Sequence, residues 1–123
     1  MIGDKYLIKF IIPNEGDADG EIIRIRGPHL TEIFVKSLPI NSRGLKRNDM
    51  FIIPVNTLYS IEKPSFSGSR GDIIYDPKSK AIIILLTQTK FDIKIANIGK
   101  ITKNVELFAN LKMSSGVRIE RLV

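Results

Sequence analysis

"GDIIYDPKSKAIIILLT", residues 71–87, holds two apolar runs separated by a turn. Asp76-Pro77 starts that turn, because proline presets the φ angle a β-turn needs, and residues 78–80 finish it. Two strands joined this tightly run antiparallel. The second run is apolar at every position from Ala81 to Leu86. A half-buried strand would alternate, so an unbroken run means that both faces are covered. In an antiparallel protein this predicts a barrel interior on one side and a helix on the other.

The flanking segments extend the pattern. In residues 5–12 Tyr6, Ile8, Phe10 and Ile12 share one face, with Lys5 and Lys9 on the other. "PNEGDADG" supplies a turn, and "EIIRIRG" alternates again, with Ile23 and Ile25 opposite Arg24 and Arg26, so the two form a hairpin. "GPHLTEIFVKSLP" changes period. Pro28 suits the first helical position, Leu30, Ile33, Phe34 and Leu38 recur at helical spacing, and Pro39 ends the helix. "NSRGLKRND", residues 41–49, reads as a loop with a basic cluster. "MFIIPV" reads as a strand ended by Pro54, and "TLYSIEK" as a short one. Residues 64–71, rich in Ser and Gly, read as a loop around Phe66.

Toward the C-terminus "IKIANIGKITK" is a strand. Asn104 is placed to cap a helix whose apolar stripe is Val105, Leu107, Phe108 and Leu111, with Lys112 favouring its end. Gly116 is placed to terminate the following turn, and "GVRIERLV" is the closing strand. Strands dominate and two short helices punctuate them. That order suits a mostly β, closed antiparallel barrel with a helix over each end, since closure removes exposed strand edges. The length of 123 residues fits one domain, 1–123.

Composition narrows the chemistry. Apolar residues make up 43% and charged residues 26%, which fits a folded globular chain and excludes a disordered one. With no cysteine, disulfides, thiolate metal sites and cysteine nucleophiles are excluded. No secretory leader is visible at "MIGDKYLIKF" and no apolar run is long enough for a membrane span, so a cytoplasmic protein is expected. The absence of Cys and Trp, with abundant Ile and Lys, would suit a thermophile. The net charge is +6 and the pI about 9.7. That is compatible with an anionic partner such as nucleic acid, through Arg43, Lys46 and Arg47, but the basic residues are otherwise scattered and simple solubility is favoured.

From residue 71 onward the chain resembles the C-terminal half of the cyclophilins. "GDIIYDP…AIIILLTQT…IANIGKITKNVELFANLK" is similar to the family's glycine-led strand, its S-Q-F-F-I-C-T strand, and its F-G-K-V strand with the helix that follows. Thr87 falls on the threonine of the second strand, Ile98 to Ile101 on F-G-K-V, and Ile52-Ile53-Pro54 on the I-I-P of the F-H-R-I-I-P strand. The chain looks more like a small prokaryotic group of cyclophilin-like proteins of uncharacterised function. The resemblance covers most of the chain and is carried chiefly by residues 71–123. It implies a cyclophilin-like closed antiparallel barrel whose ends are covered by two short helices.

The same resemblance argues against prolyl isomerisation. Cyclophilins use the arginine of F-H-R, the glutamine of S-Q-F-F and a phenylalanine that seats the proline ring. Here Phe51 falls on the arginine, Ile82 on the glutamine and Ile84 on the phenylalanine. A barrier of about 18–20 kcal/mol needs a charged donor that an apolar side chain does not supply.

Other chemistry is thinner. His29, the only histidine, falls in the first turn of a predicted helix, where a solvated side chain is the default. Asp17, Asp19 and Glu21 resemble part of a calcium loop but lack its spacing, so a solvated acidic turn and no metal are expected. "SGSRGD", residues 67–72, could cradle an anion through backbone N–H groups and Arg70, but it lacks the phosphate-loop lysine. Tyr59, Phe66 and Tyr75 are candidates for aromatic contact. The expectation is a non-catalytic module that binds a small ligand or peptide in a groove of Phe51, Phe66, Arg70, Tyr75, Ile82 and Ile84, without a cofactor. The alternatives are an enzyme on the same barrel, with weak prolyl isomerase its simplest form, and a binder of an anionic partner.

Overall fold

The computed structural model describes residues 4–55 and 60–122. Eight strands close into an antiparallel barrel. β1 (Lys5–Ile12) and β2 (Gly16–Ile23) form the first hairpin; then come β3 (Ile40–Arg47) and β4 (Met50–Pro54). β5 (Ser65–Gly68) lies outside the barrel. β6 (Asp72–Asp76), β7 (Ala81–Leu85), β8 (Thr89–Lys103) and β9 (Ser114–Arg121) complete the set. Around the barrel the order is β2-β1-β9-β3-β4-β7-β6-β8, and β8 returns to β2.

The closing seam depends on one glycine. Gly99 lies opposite Ile22, where a Cβ would sit 2.1 Å from the Glu21 carbonyl oxygen. Any side chain there would force β2 and β8 apart.

The period-two pattern of β1 resolves as expected, with Ile8, Phe10 and Ile12 buried. They join one core with Ile22, Phe51, Ile53, Ile73, Tyr75, Ile82, Ile84 and Ile98. Both helices feed it. α1 (Pro28–Lys36) contributes Leu30, Phe34 and Val35, and α2 (Glu106–Ala109) contributes Leu107 and Phe108. The helices sit at opposite ends of the β1–β2 hairpin. α1 follows the Lys5–Ile23 end, whereas Leu107 lies beside Gly16 at the other. No helix among the described residues is long and apolar enough to cross a membrane.

β7 is buried on both faces, but no helix among the described residues covers its outer one. Ile82 and Ile84 enter the main core, while Ile83 and Leu85 form a second cluster with Ile74 and Ile95, flanked by Met50, Ile52, Phe91 and Ile93. The cover is an arm. The first half of β8 leaves the barrel, pairs with β5 from Ser65↔Ile95 to Gly68↔Thr89, and lies over β6 and β7. An all-apolar run shows that a strand is buried twice and does not show by what.

Several local expectations change. The acidic stretch is part of β2 rather than a turn, with Lys9 4.0 Å from Asp17 and 3.9 Å from Asp19. Arg24–Arg26 is a 3-10 turn, which leaves Ile25 70% exposed. The basic loop is strand β3, and part of the Ser/Gly loop is β5. The strand expected at 57–63 falls partly outside the described residues, and residues 61–63 carry no strand. α2 is a single turn, with Val105 rather than Asn104 at its N-cap position; Asn104 (φ 71°) donates instead to the Asp17 carbonyl at 2.9 Å. Gly116 lies inside β9.

Candidate functional site

The six residues expected to line one groove separate into three places. Phe51, Tyr75, Ile82 and Ile84 are fully buried in the main core. The register explains why: Phe51 pairs with Ile84 and Tyr75 with Ile82, so all four stand on the inner pleat. The Phe51 ring packs against Phe108 with centroids 5.5 Å apart. Phe66 lies on β5, 50% exposed. Arg70 is exposed in the turn before β6, and its Nη1 donates to the Leu86 carbonyl at 3.0 Å. Tyr59 lies outside the described residues.

The basic cluster is divided by the strand that carries it. On β3 Arg43 and Arg47 stand on the opposite pleat from Lys46. Arg43 donates to the Ser114 hydroxyl at 3.1 Å. Lys46 donates to the carbonyl of Ala109, the last residue of α2, and so takes the helix-end position expected for Lys112. Residues 67–72 form no open anion cradle. Ser69 N–H donates to the Asp72 carboxylate, Gly71 N–H to Leu85 and Asp72 N–H to Ser69.

A cleft lies elsewhere, with a volume of about 440 Å³ and walls of Ile25, Arg26, Lys63, Ser65 and Asn97. It opens at a fork in the sheet. β8 pairs with β5 as far as Ile95 and with β2 only from Gly99, and Asn97 lies between. A bulge falls here, because Ile73 pairs with Gly99 and Ile74 with Asn97. Bulges re-aim side chains in this way.

Two pairs of wall residues are tied together. Lys63 Nζ donates to the Ile25 carbonyl at 2.8 Å. Arg26 Nη1 donates to Asn97 Oδ1 at 2.9 Å, and Asn97 Nδ2 donates to Asp72 Oδ2 at 2.8 Å. One nitrogen of the five-donor guanidinium is thereby engaged with Asn97. The cleft therefore offers two cations beside an exposed aliphatic side chain.

Glu62 secures the segment next to Lys63. Its carboxylate accepts the N–H groups of Leu30 at 2.7 Å and His29 at 3.1 Å, capping α1 from 32 residues away. Desolvation alone would raise this carboxyl. The two hydrogen bonds, with the charges of His29 and Lys63, outweigh it and hold Glu62 below the usual carboxylate value. His29 is exposed and engages Glu62 through its backbone. Sequence reasoning missed Arg26, Lys63, Asn97 and Glu62. "RIR" before "GPH" read as the end of a strand, and no local pattern marks residues that meet only across the fold.

No protein-family model matches the chain, and no curated protein is similar to it in sequence. The solved structures that share its architecture include these two. One is the hypothetical protein AF2241 from Archaeoglobus fulgidus, with a TM-score of 0.78 and 17% identity over 98% of both chains. The other is McbB, solved in complex with tryptophan, with a TM-score of 0.77 and 13% identity over 93% of this chain and 44% of that one. This chain is therefore similar in fold, a closed antiparallel barrel, to the whole of the archaeal protein and to less than half of McbB.

Proposed function

We propose that this chain is a cyclophilin-like barrel serving as a non-catalytic binding module for a small ligand. The site is the cleft of Ile25, Arg26, Lys63, Ser65 and Asn97. The observation that carries the reading is the cleft itself. Its volume of about 440 Å³ falls within the range of small-molecule sites, and its polar side chains are held, Arg26 and Asn97 by side chains and Lys63 and Ser65 by backbone carbonyls. The cyclophilin-like assignment is supported by eight antiparallel strands in a closed barrel with a helix toward each end. The absence of prolyl isomerase chemistry is supported by burial. Phe51, Ile82 and Ile84, at the positions of the family's arginine, glutamine and phenylalanine, are interior side chains that a peptide does not reach. The tryptophan complex of McbB is a case of a small molecule held by a protein that contains this architecture.

The test is a fragment screen followed by two-dimensional amide NMR. Saturable shifts are expected to centre on Arg26, Lys63, Ser65 and Asn97. Shifts that centre on Arg43 and Arg47 instead, or no saturable shift at the cleft, would overturn the assignment.

A further inference from the structure

The side chains behind the cleft form a chain with a fixed sense. The Asp72 carboxylate has only acceptors, and its Oδ2 takes the Ser69 N–H at 2.8 Å and Asn97 Nδ2 at 2.8 Å. The Arg26 guanidinium has only donors, and its Nη1 meets Asn97 Oδ1 at 2.9 Å. Asn97 stands between an anion and a cation. Turning its amide over would set oxygen against carboxylate and N–H against guanidinium, so only one orientation is satisfied. Asp72 thus orients Asn97, and Asn97 holds Arg26.

We propose that the cleft recognises a carboxylate on an apolar body, with Arg26 as the residue that binds it and Asn97 and Asp72 as positioning residues. This rests on the reading of the cleft as a ligand site. A planar guanidinium matches a carboxylate two N–H groups at a time, and restraining it beforehand lowers the ordering cost of binding. Lys63 adds a second positive charge on the wall, its Nζ held by the Ile25 carbonyl. Ile25, 70% exposed, supplies apolar surface for the body of the ligand. The alternative anion is phosphate, which is usually cradled by several backbone N–H groups. In the nearby turn the N–H groups of Ser69, Gly71 and Asp72 are already bonded within the fold. The cleft accordingly suits a single negative charge.

The experiment titrates the protein with matched pairs of aryl and alkyl carboxylic acids and their primary amides, beginning with 3-phenylpropanoate and 3-phenylpropanamide, and with inorganic phosphate. Amide NMR reports binding at the cleft. Each acid is expected to bind at least about tenfold more tightly than its amide, the margin of a charge-assisted pair over a neutral one. That preference should vanish in Arg26→Gln and shrink in Asn97→Ala and Asp72→Asn, with affinity for each acid falling by a larger factor than affinity for its amide. A purely structural role for Asn97 or Asp72 would weaken acid and amide alike. Equal binding of acid and amide by the unmodified protein overturns the proposal without needing any variant, and so does phosphate binding more tightly than the acids. In those cases the cleft remains a ligand site. If neither the pairs nor the fragment screen shifts the cleft, both readings fall together.

Discussion

Gly44 and Phe51 are predicted to be coupled, and the coupling tests whether Phe51 is an interior residue. Gly44 sits in the middle of β3, where glycine normally weakens a strand. A Cβ built there would lie 2.2 Å from Cζ and 2.5 Å from Cε2 of the Phe51 ring. Carbon atoms rest at about 3.5–4.0 Å, so the ring would have to retreat by roughly 1.3 Å or more. It has nowhere to go, being fully buried and packed against Phe108. Overpacking of this kind costs about 1–3 kcal/mol, and a direct overlap with a held ring belongs at the upper end, about 2–3 kcal/mol. Phe51→Ala alone should cost about 3–5 kcal/mol. In the double variant the ring is gone and the clash with it, so the cost should match that of Phe51→Ala alone. The cycle therefore predicts a favourable coupling of about 2–3 kcal/mol, well above the ~0.5 kcal/mol within which independent sites add. Equilibrium urea unfolding, with m-values compared across the set, measures all four proteins. Gly116→Ala is the control: its Cβ meets nothing within 4 Å, so stability should stay within about 0.5 kcal/mol. Additive costs for Gly44→Ala and Phe51→Ala would refute the packing argument and reopen Phe51 as an accessible side chain.

Gly99→Ala should destabilise by more than Gly44→Ala, because its Cβ meets a backbone carbonyl rather than a side chain; the readout is loss of hydrogen-exchange protection along β2 and the second half of β8, and normal protection there would contradict the seam. For Glu62, the carboxyl is held low in the folded state, so its contribution is fully present above the ordinary carboxylate value of ~4.3 and is lost as pH falls through the lowered folded value. Glu62→Gln should therefore cost about 1 kcal/mol at neutral pH, a typical cap contribution, and nothing in acid; a cost that does not change with pH would show that the charge is idle. In a protease-coupled assay on a short proline peptide the protein should not exceed the uncatalysed rate; acceleration that disappears in Arg43→Ala or Arg47→Ala would mean that an outer-face arginine does what Phe51 does not.

The inner faces of the barrel were legible because their signals are local. Ile8, Phe10 and Ile12 alternate with polar neighbours, and the pleat turns that alternation directly into a buried face. The start of α1 was equally readable, since Pro28 and the spacing of Leu30 and Phe34 act within one or two turns. The all-apolar β7 correctly announced burial on both sides. Residues 40–47 did not read as a strand, because their inner face is carried by Gly44 and Lys46. The glycine is needed by the Phe51 ring and the lysine by the end of α2, and neither need is visible within the segment. The groove failed for a related reason. Aligning Phe51, Ile82 and Ile84 with a family motif names positions, but the register of β4, β6 and β7 decides which face each one takes.

By itself, then, the sequence determined that this is a barrel of alternating strands with one helix after the first hairpin and another before the last strand, because periodicity, turn chemistry and proline placement act over a few residues. Only the tertiary structure decided what covers the outer face of β7, that Glu62 caps α1, and that Ile25, Arg26, Lys63, Ser65 and Asn97 share a cleft. Those residues come from three separate segments, and a hydrogen bond such as Arg26 to Asn97 spans 71 positions. Such contacts exist only once the barrel closes, when burial of the common core has already met the entropy of bringing distant segments together.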